Sequence, residues 1–239
     1  MRRLSAAAAD KRSLPSRGAR AYTTATMTEL VLHACLIARD AVFNISNLLT
    51  NASGMAVVVI KECEQDLDRY ERLIDEQTPV AITQVDEAHA RQLLTCLKFI
   101  TDLERIGDLM LSVAQSAQRC YPKLSRREGE PFAKMAQALE HMLETTHRAF
   151  VSRDPRLAES VIGADRQIDE LRRKVFRKYL EQHTEESSRT INLLLMAQAL
   201  ERAGDHATNL GEELLHLFEG RTRRHASPER RNRGNLSEI

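Results

Sequence analysis

The segment from Leu103 reads LERIGDLMLSVAQ and the segment from Leu200 reads LERAGDHATNLGE, so Leu, Glu, Arg, Gly and Asp recur 97 residues apart. A second correspondence precedes each of them. Glu64, Leu67 and Asp68 in ECEQDLDRY answer to Asp165, Ile168 and Asp169 in ADRQIDEL at an offset of 101, which places a connection four residues longer inside the first copy. The chain is therefore a tandem duplication, and any fold assigned to one half must serve the other.

The repeated unit is helical. Ala56, Ile60, Cys63, Leu67, Tyr70 and Ile74 form a 4,3,4,3,4 apolar seam, repeated by Leu157, Val161, Ala164, Ile168, Leu171 and Val175. This is the spacing of one face of a bundled helix. The next helices carry Cys96, Ile100, Leu103, Gly107, Met110 and Ala114, and then Leu193, Ala197, Leu200, Gly204, Ala207 and Gly211. A glycine inside a helix costs about 1 kcal/mol relative to alanine, so the recurrence of Gly107 and Gly204 at one seam position predicts a close helix contact. A first helix precedes each pair, at Met27–Thr50 with Thr28 as its N-cap and at Phe132–Val151. Each ends at a turn signal, Asn51, Ser53 and Gly54 in one copy and Asp154 with Pro155 in the other. Pro79 and the polar run His183–Ser188 supply the connections between second and third helices. The predicted fold is all-α, a tandem duplication of two three-helix bundles, with the first repeat at 27–121, a linker at 122–131 that holds Gly129 and Pro131, and the second repeat at 132–219.

The 239 residues balance to a net charge of +1, but the charge is unevenly placed. Residues 1–26 carry +5 and residues 220–239 carry +4, leaving −8 on residues 27–219. An acidic core argues against nucleic-acid binding and suits cations. The basic first 26 residues fit either an upstream extension ahead of a start at Met27 or a targeting peptide, and the Arg-rich tail from 220 reads as disordered. The most apolar stretch, Met55–Ile60, is six residues long, far below the ~20 needed to span a bilayer. Cys35, Cys63, Cys96 and Cys120 lie 24 to 33 residues apart, which excludes a zinc knuckle or a dense disulfide framework and fits a reducing cytosol.

Each copy contains two acidic pairs at i,i+4: Glu64 with Asp68, Glu104 with Asp108, Asp165 with Asp169, and Glu201 with Asp205. All four follow the apolar seam by one residue, so each row is turned about 100° from the core. If the second and third helices are antiparallel neighbours, the two rows of a copy either converge on the groove between them or both diverge. Unpaired, like charges at i,i+4 each cost ~0.2–0.5 kcal/mol, and a bound cation would remove that conflict. Carboxylates ~6 Å apart along a helix, facing a second such row, match oxygen-ligand sites for hard divalent or trivalent ions. From register alone this reading stands level with that of a salt-bridged helix surface. His206, directly after Asp205, is a weaker candidate ligand, and Glu144 with His147 is a lone ExxH where a di-iron centre needs two. No GxxxxGK, GxSxG, GxGxxG or HExxH string occurs, and no side chain reads as a nucleophile.

The segments LERIGDLMLSVAQ, LERAGDHATNLGE and ADRQIDELRRKVF, with NLGEE at Asn209–Glu213, resemble the PhoU family of phosphate-uptake regulators across residues 27–219. The resemblance implies a cytoplasmic, non-enzymatic negative regulator that couples the ATPase of the phosphate ABC transporter to a phosphate-sensing histidine kinase. It implies that the eight carboxylates hold metal, with iron, zinc, magnesium or manganese as candidates, and a homodimer is expected. Ser112 and Gln115 stand where the second copy has Asn209 and Glu212, so the second copy is expected to hold metal more tightly. Two other classes stay open: an accessory of another phosphate or ion transporter, and a metal-storage protein or metal-dependent hydrolase with His206 as its base.

Overall fold

The computed structural model describes residues 22–51, 54–120, 123–181 and 188–219. They form six helices: α1 (Thr24–Asn51), α2 (Gly54–Ile82), α3 (Glu87–Arg119), α4 (Arg126–Ser152), α5 (Pro155–Glu181) and α6 (Ser188–Glu219). The basic stretch 1–21, most of the polar run 183–188 and the tail from 220 lie outside the described residues. None of the described helices is long and apolar enough to cross a membrane.

Each repeat is a three-helix bundle, as the duplication predicts, and the two bundles pack against each other. The most extensive contacts run between repeats, α3 against α6 and α1 against α4. Those two pairs close a four-helix ring, α1–α3–α6–α4, with α2 laid against α1 and α3 on one flank and α5 against α4 and α6 on the other. Phe99 of α3 and Phe150 of α4 meet inside it at 5.1 Å between ring centroids, a tilted pair that favours the quadrupoles of both. One continuous apolar core runs from Met27 to Leu215 through both repeats. Around the perimeter the order is α2, α3, α6, α5, so the α2–α3 and α5–α6 grooves open on the same broad face.

The helix ends differ from the expectations in three places. Thr28 is not an N-cap: α1 starts at Thr24, where Thr23 Oγ1 accepts from the Thr26 amide at 3.2 Å. Thr28 instead ties α1 to α3 by accepting from Gln92 Nε2 at 2.9 Å. Pro79 does not end α2, which continues to Ile82. There the missing N–H leaves only the Asp75 carbonyl without its helical donor, while Thr78 and Ala81 are buried and keep the last turn packed on the core. The expected linker 122–131 is largely helix, because α4 begins at Arg126. Ser125 and Glu128 form a reciprocal capping box, and Arg189 Nη2 of α6 donates to Glu128 Oε1 at 2.7 Å, so the helix starts there in spite of Gly129 and Pro131.

Gly129 explains its own presence. A Cβ there would fall against the carbonyl oxygen of Leu49 in α1, and backbone cannot step aside as a side-chain tip can. Gly163, in α5, has nothing within 4 Å of such an atom. We therefore expect Gly129→Ala to destabilise the fold by about 1–3 kcal/mol and Gly163→Ala to stabilise it by roughly 0.5–1 kcal/mol, read from denaturant midpoints at equal slope.

Candidate metal-binding grooves

In each repeat a glycine at the matching seam position sets the third helix against the second. A Cβ on Gly107 would stand 2.7 Å from Leu67 Cδ1 and 3.7 Å from Glu64 Cα, and one on Gly204 would stand 3.0 Å from Ile168 Cδ1 and 3.2 Å from Asp165 Oδ1. The expected close contact is present in both copies. It also settles the direction of the acidic rows, which converge on the groove between the two helices.

Convergence is visible in the electrostatics. In the first groove, burial pushes the Glu104 carboxyl up to about 7, with further upward pressure from Asp108 and Glu71. Glu64 is raised by burial and then by Asp108 and Asp68. In the second, burial pushes Asp165 up to about 6, helped by Asp205, Asp169 and Glu201. Glu201 and Asp205 are also raised, chiefly by burial, although Arg172 opposes the effect on both. All eight expected residues thus fall into two groups of four: Glu64, Asp68, Glu104 and Asp108, and Asp165, Asp169, Glu201 and Asp205.

Partial neutralisation comes from arginines. Arg72 lies 2.9 Å from Asp68 and Arg105 lies 3.4 Å from Asp108, both on exposed side chains whose pairs are worth little in water. Two oxygens stay unsatisfied: Glu104 Oε2 and Asp165 Oδ1 are buried without a hydrogen bond, the nearest cation to the former being Arg105 Nε at 3.5 Å. Unpaired buried carboxylate oxygens are the costly kind. Among the described residues, no three His, Cys, Asp or Glu side chains are gathered tightly enough to hold an ion as they stand, so ligation would require rotamer changes that draw the carboxylates inward.

Two groove residues went unnoticed in the sequence. Glu71 continues the first row, one residue beyond Tyr70 of the seam, and the same spacing that marked Glu64 and Asp68 would have found it. Arg172 occupies the matching place in the second groove, its Nε 3.3 Å from Glu201 Oε1. The α3–α6 seam between the grooves holds a polar group that periodicity does not reveal. Buried Asp102 contacts His206 Nδ1 at 2.8 Å and accepts from Asn209 Nδ2 at 3.3 Å, and Lys98 pairs with buried Glu213 at 3.0 Å. Asn209, one of the two residues expected to accompany the second site, is thereby turned into the seam, while Glu212 is the other. His206 is engaged there too, through Nδ1. Glu144 is exposed, and His147 is half-buried on α4 next to Arg39 of α1, its pKa lowered by burial, so the lone ExxH forms no part of either groove.

The raised carboxyls have a consequence for stability. A group whose folded pKa exceeds its unfolded value contributes stability at low pH that is lost as pH rises through the folded value. For Glu104 and Asp165 the window runs from about pH 4 to about 7. In chelator, the protein should lose roughly 1–3 kcal/mol between pH 5 and 7.5, and the Glu104→Gln, Asp165→Asn double variant should lose less. Thermal melts at both pH values measure the difference; equal losses would mean that the two carboxyls are unperturbed.

Comparison with known proteins agrees with the doubled helical fold. The PhoU domain model matches residues 29–117 and 132–214, one segment per repeat. The Phosphate-specific transport system accessory protein PhoU homolog of Pseudomonas aeruginosa is 30% identical over 75% of this chain and 76% of its own length. The PhoU homolog 1 of Thermotoga maritima is 32% identical over 68% of this chain and 72% of its own. The crystal structure of PhoU from Pseudomonas aeruginosa superposes with a TM-score of 0.75 at 27% identity, covering 82% of this chain and 96% of that one. That of the phosphate transport system regulatory protein PhoU from Streptococcus pneumoniae shares the fold at 19% identity, also with a TM-score of 0.75. Two matched repeats, relatives of 30% identity or more across most of both chains, and a common six-helix architecture together establish that this chain belongs to the PhoU family.

Proposed function

We propose that the chain is a metal-binding regulator of phosphate uptake. It acts in the cytoplasm, without enzymatic chemistry of its own, as an adaptor between the ATPase of a phosphate ABC transporter and the sensor kinase of a two-component system, and it keeps the phosphate-starvation response off when phosphate is plentiful. The observation that carries this reading is the presence, in a PhoU-family chain, of two carboxylate grooves on one broad face. Relatives named as accessory proteins of the phosphate-specific transport system support the link to a transporter.

The donor set fits a hard cation. Each groove offers four carboxylates from two helices, and each contains a buried oxygen with no hydrogen bond, Glu104 Oε2 or Asp165 Oδ1. Glu64, Asp68, Glu104 and Asp108 would hold metal in the first groove, and Asp165, Asp169, Glu201 and Asp205 in the second. The metal would supply positive charge that ties neighbouring helices together and shapes the face for docking. A thiol nucleophile does not fit this chain: burial pushes Cys35 and Cys63 up to about 12 and Cys96 to about 11.

Two experiments test the proposal. Deleting the gene in its native host should leave phosphate-starvation genes active in phosphate-rich medium, and a reporter that stays silent, with no paralogue to compensate, would remove the kinase-coupled role. A chelator should lower the melting temperature and added Mn2+ restore it, since a ligand at a hundred times its Kd contributes about 2.7 kcal/mol. Replacing both acidic pairs of each groove by Asn and Gln should abolish metal content by elemental analysis. If the pairs are only surface charge, stability should instead rise slightly and metal content stay as it was.

A further inference from the structure

The duplication makes the two grooves comparable position by position, and at one position they differ in sign. Arg72 and Arg105 of the first groove answer to Arg173 and Arg202 of the second, so they cancel from the comparison. Glu71 answers to Arg172. That exchange alone makes the first groove two charges more negative.

The structure gives each residue a defined place. Glu71 is half-buried, and its charge reaches Glu104 across the groove. The Arg172 side chain is 29% exposed, with its Nε 3.3 Å from Glu201 Oε1 and its guanidinium carbon 5.2 Å from the centroid of the Phe176 ring. An arginine held over an aromatic face is preorganised, whereas Arg72 and Arg105 are 65% and 54% exposed and free to swing away. The ring that supports Arg172 belongs to the second copy only, because Phe176 answers to Asp75 in the first. One groove thus holds a built-in cation and the other holds an extra carboxylate.

We propose that the first groove is the tight cation site, with Glu71 as a fifth carboxylate beside Glu64, Asp68, Glu104 and Asp108, and that Arg172 acts as an internal counter-ion which weakens metal binding in the second. This assignment rests on the metal-binding reading above and deepens it. A metal entering the second groove must displace or repel a preorganised guanidinium that already neutralises Glu201, whereas one entering the first meets an added carboxylate and only the exposed, swinging cations Arg72 and Arg105. Exchanging a carboxylate for a guanidinium beside the ion reverses the sign of that interaction, enough for a tenfold or larger gap in affinity.

The test uses the full chain stripped with chelator and titrated with Mn2+, following heat by calorimetry and free Mn2+ by electron paramagnetic resonance. The expected result is a tight phase and a second phase at least tenfold weaker. Glu71→Gln should weaken the tight phase tenfold or more and leave the weak one alone, and Arg172→Gln should tighten the weak phase by a similar factor. Glu71→Gln removes a repelling charge, so circular dichroism should show its helices intact. Two equal phases, or a tight phase that survives Glu71→Gln but is lost in Asp169→Asn with Asp205→Asn, would overturn the asymmetry while leaving metal binding in place. No Mn2+ uptake by the wild type would overturn both.

Discussion

At Gly107 and Gly204 the third helix of each repeat comes so near the second that an added methyl group would meet Leu67 or Ile168 at 3.0 Å or less. The rest of the functional face depends on this approach. With larger residues there, the helices would stand further apart and the flanking carboxylates would face solvent separately, at the modest cost of ordinary surface charge. Held close, Glu104 and Asp165 lose water before they gain partners, and the like charges opposite them add to the penalty. The glycines cost helix stability locally, and their place in the fold is the juxtaposition they permit.

The second organising feature is the seam between repeats. α3 and α6 meet in antiparallel fashion, so residue 98 pairs with 213 and residue 102 with 206 and 209. Glu104 with Asp108 and Glu201 with Asp205 therefore sit at about the same level on either side of that seam. The buried Asp102, satisfied by His206 and Asn209, lies between the two grooves. A buried carboxylate with specific donors resists sliding of one helix along the other, which gives the broad face a defined register. Duplication supplied two copies of the acidic motif, and the seam between copies placed them on one surface.

Much of this was legible beforehand because it is periodic. The apolar seams at 56–74 and 157–175, the glycine positions and the eight carboxylates all follow from spacing, and spacing survives whatever the helices later pack against. The helix ends were less legible where two local signals conflicted. Gly129 and Pro131 read as loop, yet the Ser125–Glu128 capping box and the Arg189 contact to Glu128 hold α4 in helix from Arg126. Pro79 read as a stop, yet burial of Thr78 and Ala81 on either side carries α2 on to Ile82 at the loss of one ladder bond.

Sequence by itself determined that this chain is a doubled helical unit with four acidic pairs in a common register, because both facts are properties of residue spacing along one strand of text. Tertiary structure alone decided that the pairs converge rather than diverge, that Asn209 turns into the α3–α6 seam, and that Glu71 and Arg172 enter opposite grooves. Those outcomes turn on the relative rotation of neighbouring helices. A rotation is set by which side chains interlock across the contact, Gly107 against Leu67 and Gly204 against Ile168, and the period of a single helix carries no information about its partner's azimuth.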